Sequence, residues 1–186
     1  MDEIVKAAIA KWPDVPDCQG WLGLDARGQW RMRDAQAQRA GPFTSPVPAA
    51  KGQVIVHEKL IAFIGRNYAC DGVGRWFFQN GPQRVHVELE VTPWIWRLQP
   101  DGTLRSHTGR SAAYQSCWLD EQGRLYVETD LGFGLVHSQD MLLAADWVEQ
   151  GIWQPDACLV AELPARFDFV LSPQAQADQL APSAPV

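Results

Sequence analysis

The chain has 186 residues, 46% of them hydrophobic and 20% charged, a composition that fits one folded domain or two small ones and excludes a disordered chain. A formal net charge of −6 without any cluster of Lys and Arg argues against nucleic acid as a partner, because phosphate binding needs basic residues gathered on one face. There is no run of about 18 apolar residues and MDEIVKAAIAKW opens acidic, so the sequence predicts a cytoplasmic protein with no membrane association.

In chain order, Asp2 to Trp12 places Ile4, Val5, Ala8 and Ile9 on one helical stripe that Pro13 ends. Trp21 to Leu24 and Trp30 to Arg33 are the arms of a hairpin around the Asp25-Ala-Arg-Gly28 turn, with Trp30 and Met32 on one face and Arg31 and Arg33 on the other. Residues 35–51 hold prolines, glycines and small residues, a surface-loop composition. Gln53 to Val56 is a short strand, and His57 to Ala69 is the main helix, with Leu60, Ile61, Ile64 and Tyr68 sharing a face.

Asp71 to Gly74 repeats the Asp-x-x-Gly turn, and Trp76 to Phe78 is a strand apolar on both faces. From Val85 the residues alternate. Val85, Val87, Leu89 and Val91 point one way, and Arg84, His86, Glu88 and Glu90 point the other, which predicts a strand with one dry and one solvent-facing side. Trp94 to Leu98 follows as a new strand after Pro93, then a weakly patterned stretch at 104–113. Tyr114 to Leu119 and Arg124 to Glu128 flank a third Asp-x-x-Gly turn. Leu131 to His137 is Gly-interrupted strand material, and Ser138 is placed to cap a helix ended by Gly151. Cys158 to Ala161 and Phe167 to Leu171 are late strands, and residues 172–186 lack the apolar content to order themselves.

DGVGRWFF at 71–78 superposes on DEQGRLYV at 120–127 in Asp, Gly and Arg, and Val85-His86 and Val136-His137 follow at similar distances. The expected fold is therefore α+β: antiparallel hairpins and rolls with two or three packed helices, in two similar subdomains. Its divisions fall at 1–98 and 99–171, with a disordered tail at 172–186. The hairpin, the proline-rich loop, the HEKLIAFIGRNY helix, the GRWFF and QRVHVELE strands and the GRLYV hairpin together resemble bacterial families of unknown function. One such family has two similar α+β units and a suggested role in signal transduction. The resemblance covers roughly residues 18–148 and brings no catalytic residue with it.

Candidate chemistry divides into two readings. In the first, a non-enzymatic binding or interaction module, Trp94 and Trp96 share a strand face beside Arg97 and form a ligand platform or a homodimer contact. Arginine outnumbers lysine, so Arg31, Arg33 and Arg75 are candidates for anion forks. In the second, a metal-dependent or acid/base enzyme, His86, Glu88 and Glu90 supply ligands or proton donors from one strand face, and His137 occupies the place of His86 in the second unit. Ordinary folding also accounts for each set, as a solvated stripe or as core aromatics. Ser106-His107 lacks a nucleophile elbow, and Gly132-Phe-Gly134 lacks the third glycine of a dinucleotide fingerprint. Cys18, Cys70, Cys117 and Cys158 show no zinc spacing and are expected to be reduced, and no cofactor is called for.

Overall fold

Thirteen short strands alternate with six α-helices among the described residues, and the computed structural model describes residues 1–180. The elements in the first half are α1 (Glu3–Lys11), β1 (Cys18–Leu24), β2 (Trp30–Met32), α2 (Ala35–Arg39), β3 (Gln53–Val54), α3 (Glu58–Arg66), β4 (Tyr68–Cys70), β5 (Trp76–Asn80) and β6 (Gln83–Leu89). They are followed by β7 (Trp94–Leu98), β8 (Leu104–Ser106), β9 (Ser111–Ala112), β10 (Tyr114–Asp120), β11 (Leu125–Thr129), β12 (Gly132–Val136), α4 (Met141–Glu149), β13 (Asp156–Cys158), α5 (Leu163–Arg166) and α6 (Pro173–Leu180). The class is α+β, as expected, with two mixed sheets. Among the described residues no helix is long and apolar enough to cross a membrane.

Two compact units are present. The first takes residues 1–24, 30–90 and the chain from 170 onward; the second takes 25–29 and 91–169.

In the first unit the strand order is β3-β2-β1-β6-β5-β4, with every pair antiparallel except β1 and β6. The register pairs Leu22 with both Met32 and Val87, and Val85 with Phe78, so these side chains share one face. α3 lies on that face, with Phe63 edge-on to Phe78 at 5.4 Å between ring centroids. The helix starts where His57 Nδ1 accepts the Leu60 N–H, and it ends at Asn67, whose side chain donates to Phe63 O and whose Oδ1 accepts the Asp2 N–H. That last bond ties the start of α1 to the end of α3.

The opposite face is also covered. The place a side chain would fill at Gly23 is taken by the Phe43 ring, the place at Gly20 by the Gln174 side chain, and α6 packs on β6 and β1. The covering pieces come from stretches whose composition promised little. Residues 35–51, expected as a loop, contain α2 and a 3-10 turn at Pro48–Lys51, and Asp34 caps α2 by accepting the Ala37 N–H at 2.8 Å. Within the tail expected to be disordered, Pro173–Leu180 is helical; residues 181–186 of that expectation lie outside the described residues.

In the second unit the order is β13-β10-β11-β12-β7-β8-β9. Reading β7-β8-β9 for β1-β2-β3 and β10-β11-β12 for β4-β5-β6, the two sheets follow one plan, each joining its halves through a parallel pair. Where α3 stands in the first unit, only Ala113 separates β9 from β10. The helix of the second unit instead follows β12, as α4 with Ala144 and Trp147 buried. The late strand expected at 158–161 is β13 at Asp156–Cys158, followed by a 3-10 turn. The strand expected at 167–171 does not form; α5 precedes it, and Phe167 and Phe169 stack against Phe133 from outside the sheet. All four cysteines are free thiols.

Candidate functional site

The first unit carries an apolar cavity of about 280 Å³. Its floor is the sheet face whose register sets Leu22, Met32, Phe78 and Val85 side by side, and Leu60 and Ile64 of α3 form one wall. α3 packs on β5, so its apolar stripe shelters the β5 side of that face, and the cavity lies between that stripe and the β1–β2 hairpin. Trp21 and Met32, 47% and 51% exposed, stand at the open side with Ile55. Two large apolar side chains left exposed beside an apolar cavity are a departure from ordinary burial. The polar lining groups are the Asn80 amide and the Cys18 thiol, the latter kept neutral by burial, which raises its pKa. No charged side chain lines the cavity, so it offers shape and apolar contact rather than proton transfer.

From His86 to Leu89 the alternating strand is buried on both sides. His86 is 0% exposed and Glu88 1%, which corrects the solvent-facing stripe expected from the alternation. His86 Nε2 lies 2.9 Å from Asp17 Oδ2, while its Nδ1 is buried without a hydrogen-bond partner. Glu88 accepts the Gln174 N–H at the start of α6 and a bond from Ser172. Burial raises its pKa, and these two bonds, with the charge of Arg33, pull it back only in part. Arg33 itself is 1% exposed and spends its guanidinium on the carbonyls of Ala50, Gly20 and Gly41, so it is a buried strut rather than an open anion fork. Glu90 pairs with Lys51 at 2.9 Å. Among the described residues, no group of three or more His, Cys, Asp or Glu is placed to hold a metal ion.

His137 is not the counterpart of His86. Phe77 pairs with His86 and Tyr126 with Leu135, and Leu22 pairs with Val87 as Trp96 does with Val136. With Phe77 matched to Tyr126 through the shared turn, Leu135 takes the place of His86, and His137 that of Glu88. The β5–β6 and β11–β12 turns each span two residues, so the longer spacing of the second Val-His pair carries His137 two positions further along its strand.

Trp94 and Trp96 do share a face, with rings stacked 5.7 Å apart, but they are 2% and 0% exposed. Their indole N–H groups donate to Leu131 O and Val127 O. They are core, and the platform or dimer contact expected of them has no exposed ring face. Arg97 forks onto Asp140 through Nε and a terminal nitrogen, at 2.6 and 3.0 Å. Arg75 bonds Asp71 within its own turn at 2.8 Å.

A two-unit α+β protein with an apolar cleft beside its main helix is thus defined. The family model DUF2944, described as "Protein of unknown function (DUF2946)", matches residues 1–174, and the chain belongs to that family. Two solved structures are similar. One is a DUF1285 family protein from Shewanella baltica OS155, with 13% identity, 68% of this chain and 91% of that one covered, and a TM-score of 0.45. The other is a DUF1285 family protein from Silicibacter pomeroyi DSS-3, with 14% identity, 78% and 84% covered, and a TM-score of 0.47. No curated protein matches. None of these descriptions assigns an activity, and the signalling role implied by the sequence resemblance finds no support in them.

Proposed function

We propose that the protein is a non-enzymatic binding module whose first unit takes a small, uncharged, largely apolar molecule in the cleft between α3 and the β1–β2 hairpin. The observation that carries this reading is the cavity itself: about 280 Å³ of apolar space with Trp21 and Met32 exposed beside it. That volume accommodates roughly ten non-hydrogen atoms, taking about 30 Å³ for each small group as for a water in the liquid. Uncharged lining favours an uncharged ligand, since a buried ion here would have no counter-charge.

The test is a panel of medium-chain alcohols and simple aromatics, followed by ligand-observed NMR and thermal unfolding. Saturable binding by at least one class is expected, and it should be lost in Leu60→Trp, where the larger side chain fills the cavity, with the circular dichroism spectrum unchanged. Absence of saturable binding across the panel, or unaltered binding in a folded Leu60→Trp protein, refutes the proposal.

A further inference from the structure

The second unit contains a different cavity, about 300 Å³, lined by Arg27, Gln29, His137, Ser138 and Gln139. Its walls are polar side chains, and no carboxylate lines it. Arg27 and Gln29 belong to the turn at 25–29, which is held in the second unit by a close approach: a side chain at Gly28, whose φ is +74°, would come within 2.8 Å of His107 Cβ. Asp25 fixes the turn from inside by accepting the Arg27 and Gln29 N–H groups on Oδ1. Arg27 therefore projects from an ordered base, and its guanidinium has no hydrogen-bond or ion-pair partner among the described residues.

Across the cavity lining, His137 is 8% exposed. Its Nδ1 accepts the Gln139 N–H at 3.1 Å, which places the hydrogen of the neutral ring on Nε2 and makes that atom a donor. Burial first, then Arg97, keeps the ring's pKa below 6.5; Arg27 acts the same way, and Asp140 and Asp25 act against it. Asp140 is already engaged by Arg97 and the Leu98 N–H, and Asp25 by its own turn, so neither carboxylate competes for Arg27. Guanidinium, imidazole N–H, hydroxyl and amide groups around one space are a donor set for oxygen atoms carrying negative charge.

We propose that this cavity is a binding site for a small organic oxyanion, a phosphate ester or a carboxylate, held by Arg27 and the Nε2–H of His137. It lies wholly within the second unit and does not depend on the apolar cleft. The carboxylate or phosphate oxygens pair with the guanidinium fork, His137 adds a directed neutral donor, and the remaining volume accepts a body of a few atoms. His137 caps the 3-10 turn at Ser138–Asp140 through Nδ1, so binding at Nε2 leaves the local fold as it is.

The test uses the full chain and two probes, inorganic phosphate and succinate, with the imidazole Cε1–H signals of the four histidines followed by NMR. The His137 signal, assigned by its loss in His137→Asn, should shift saturably with at least one probe at concentrations up to about 10 mM. Response to phosphate alone assigns a phosphate ligand, and response to succinate alone a carboxylate. Arg27→Ala, a change at an exposed position, should weaken binding by about 10- to 100-fold, and Arg27→Lys by less, because an ammonium lacks the fork. His137→Asn retains an N-cap acceptor while removing the Nε2 donor and should also weaken binding. A His137 signal unmoved by both probes, or wild-type affinity in Arg27→Ala, overturns the proposal.

Discussion

Asp71 and Asp120 make the same bonds at the same place in two turns 49 residues apart in the sequence: each accepts two backbone N–H groups on Oδ1 and the Nε of an arginine four residues on, at 2.8 Å, on Oδ2. Shared turn chemistry fixes the register of the following strand, which is why the two sheets can be compared residue by residue. The comparison shows what differs. Phe77 holds the register position that Tyr126 holds in the second unit, and the Tyr126 hydroxyl adds a fourth bond, at 2.8 Å, to Asp120 Oδ2.

From this difference, Asp120→Ala is expected to be the more damaging substitution. Asp120 is fully buried in its side chain and its removal strands the hydroxyl of Tyr126, a residue of 0% exposure, at a cost of about 3 kcal/mol. Asp71→Ala removes a turn brace and a partly exposed ion pair, at about 1–2 kcal/mol. Urea unfolding of the two variants checks the order; equal losses would mean the tyrosine bond contributes nothing. Asp120→Ala with Tyr126→Phe should recover part of the loss, because the stranded group is then gone.

Acid should destabilise the protein through the same carboxylates. The pKa values of Asp71, Asp120 and Asp140 lie below the ordinary 3.8: burial opposes this, but backbone donors and Arg75, Arg124 and Arg97 outweigh it. A depressed folded-state pKa gives stability that is present above 3.8 and lost as pH falls through the folded value. Unfolding free energy should therefore drop below about pH 4, and Asp120→Asn should flatten that drop while lowering stability at neutral pH.

Glu88 works with the opposite sign. Its pKa is raised above 4.5, chiefly by burial, so its contribution is full below that value and is lost as pH rises through the folded pKa. Glu88→Gln keeps an oxygen for the Gln174 N–H and sheds the buried charge. Its stability at pH 7 should stay within about 1 kcal/mol of wild type, whereas Glu88→Ala should cost about 2–3 kcal/mol. Measured at pH 7 and pH 5, wild type should gain on Glu88→Gln as the pH falls; parallel profiles would show that Glu88 does not titrate in this range.

How much of this was legible follows from what covers each strand. The hairpin with Trp30 and Met32 opposed to Arg31 and Arg33, the helix opening at His57 and the strand Trp94–Leu98 follow from local turn and period signals, which suffice where one element carries its own pattern. The burial of His86 and Glu88 does not, because Asp17 meets His86 while Arg33 and the start of α6 meet Glu88, groups that lie far from this strand in the sequence. An alternating strand reads as half-solvated unless its second cover is visible, and here that cover has almost no period of its own. The apolar cleft is hidden for the converse reason: Leu22, Met32, Leu60 and Ile64 read as core, and the space among them depends on how α3 lies over the sheet. Arg27 reads as an ordinary turn residue, and its place in a braced Asp-x-x-Gly turn is the signal that marks it.

Gly134 is a further point where the two units part, and it yields a sharp expectation. It pairs with Trp94 across the parallel β12–β7 contact, at the position where the first unit has Val85 opposite Cys18. A β-carbon at Gly134 would run into Trp96 Nε1 and Trp94 O, and the latter is backbone that cannot swing aside. The glycine is therefore required by space, because the Trp96 indole together with the Trp94 carbonyl and Cβ occupies what a valine fills in the other sheet. Gly134→Ala should cost about 1–3 kcal/mol by overpacking and disturb the indole bond to Val127 O. Trp96→Ala removes a fully buried ring and should cost about 3–5 kcal/mol on its own. Combined with Gly134→Ala, the total should fall short of the sum, because the ring that opposed the new methyl is absent. Thermal or urea unfolding of the two single variants and the double decides it: strict additivity would show that the indole does not set the space at Gly134.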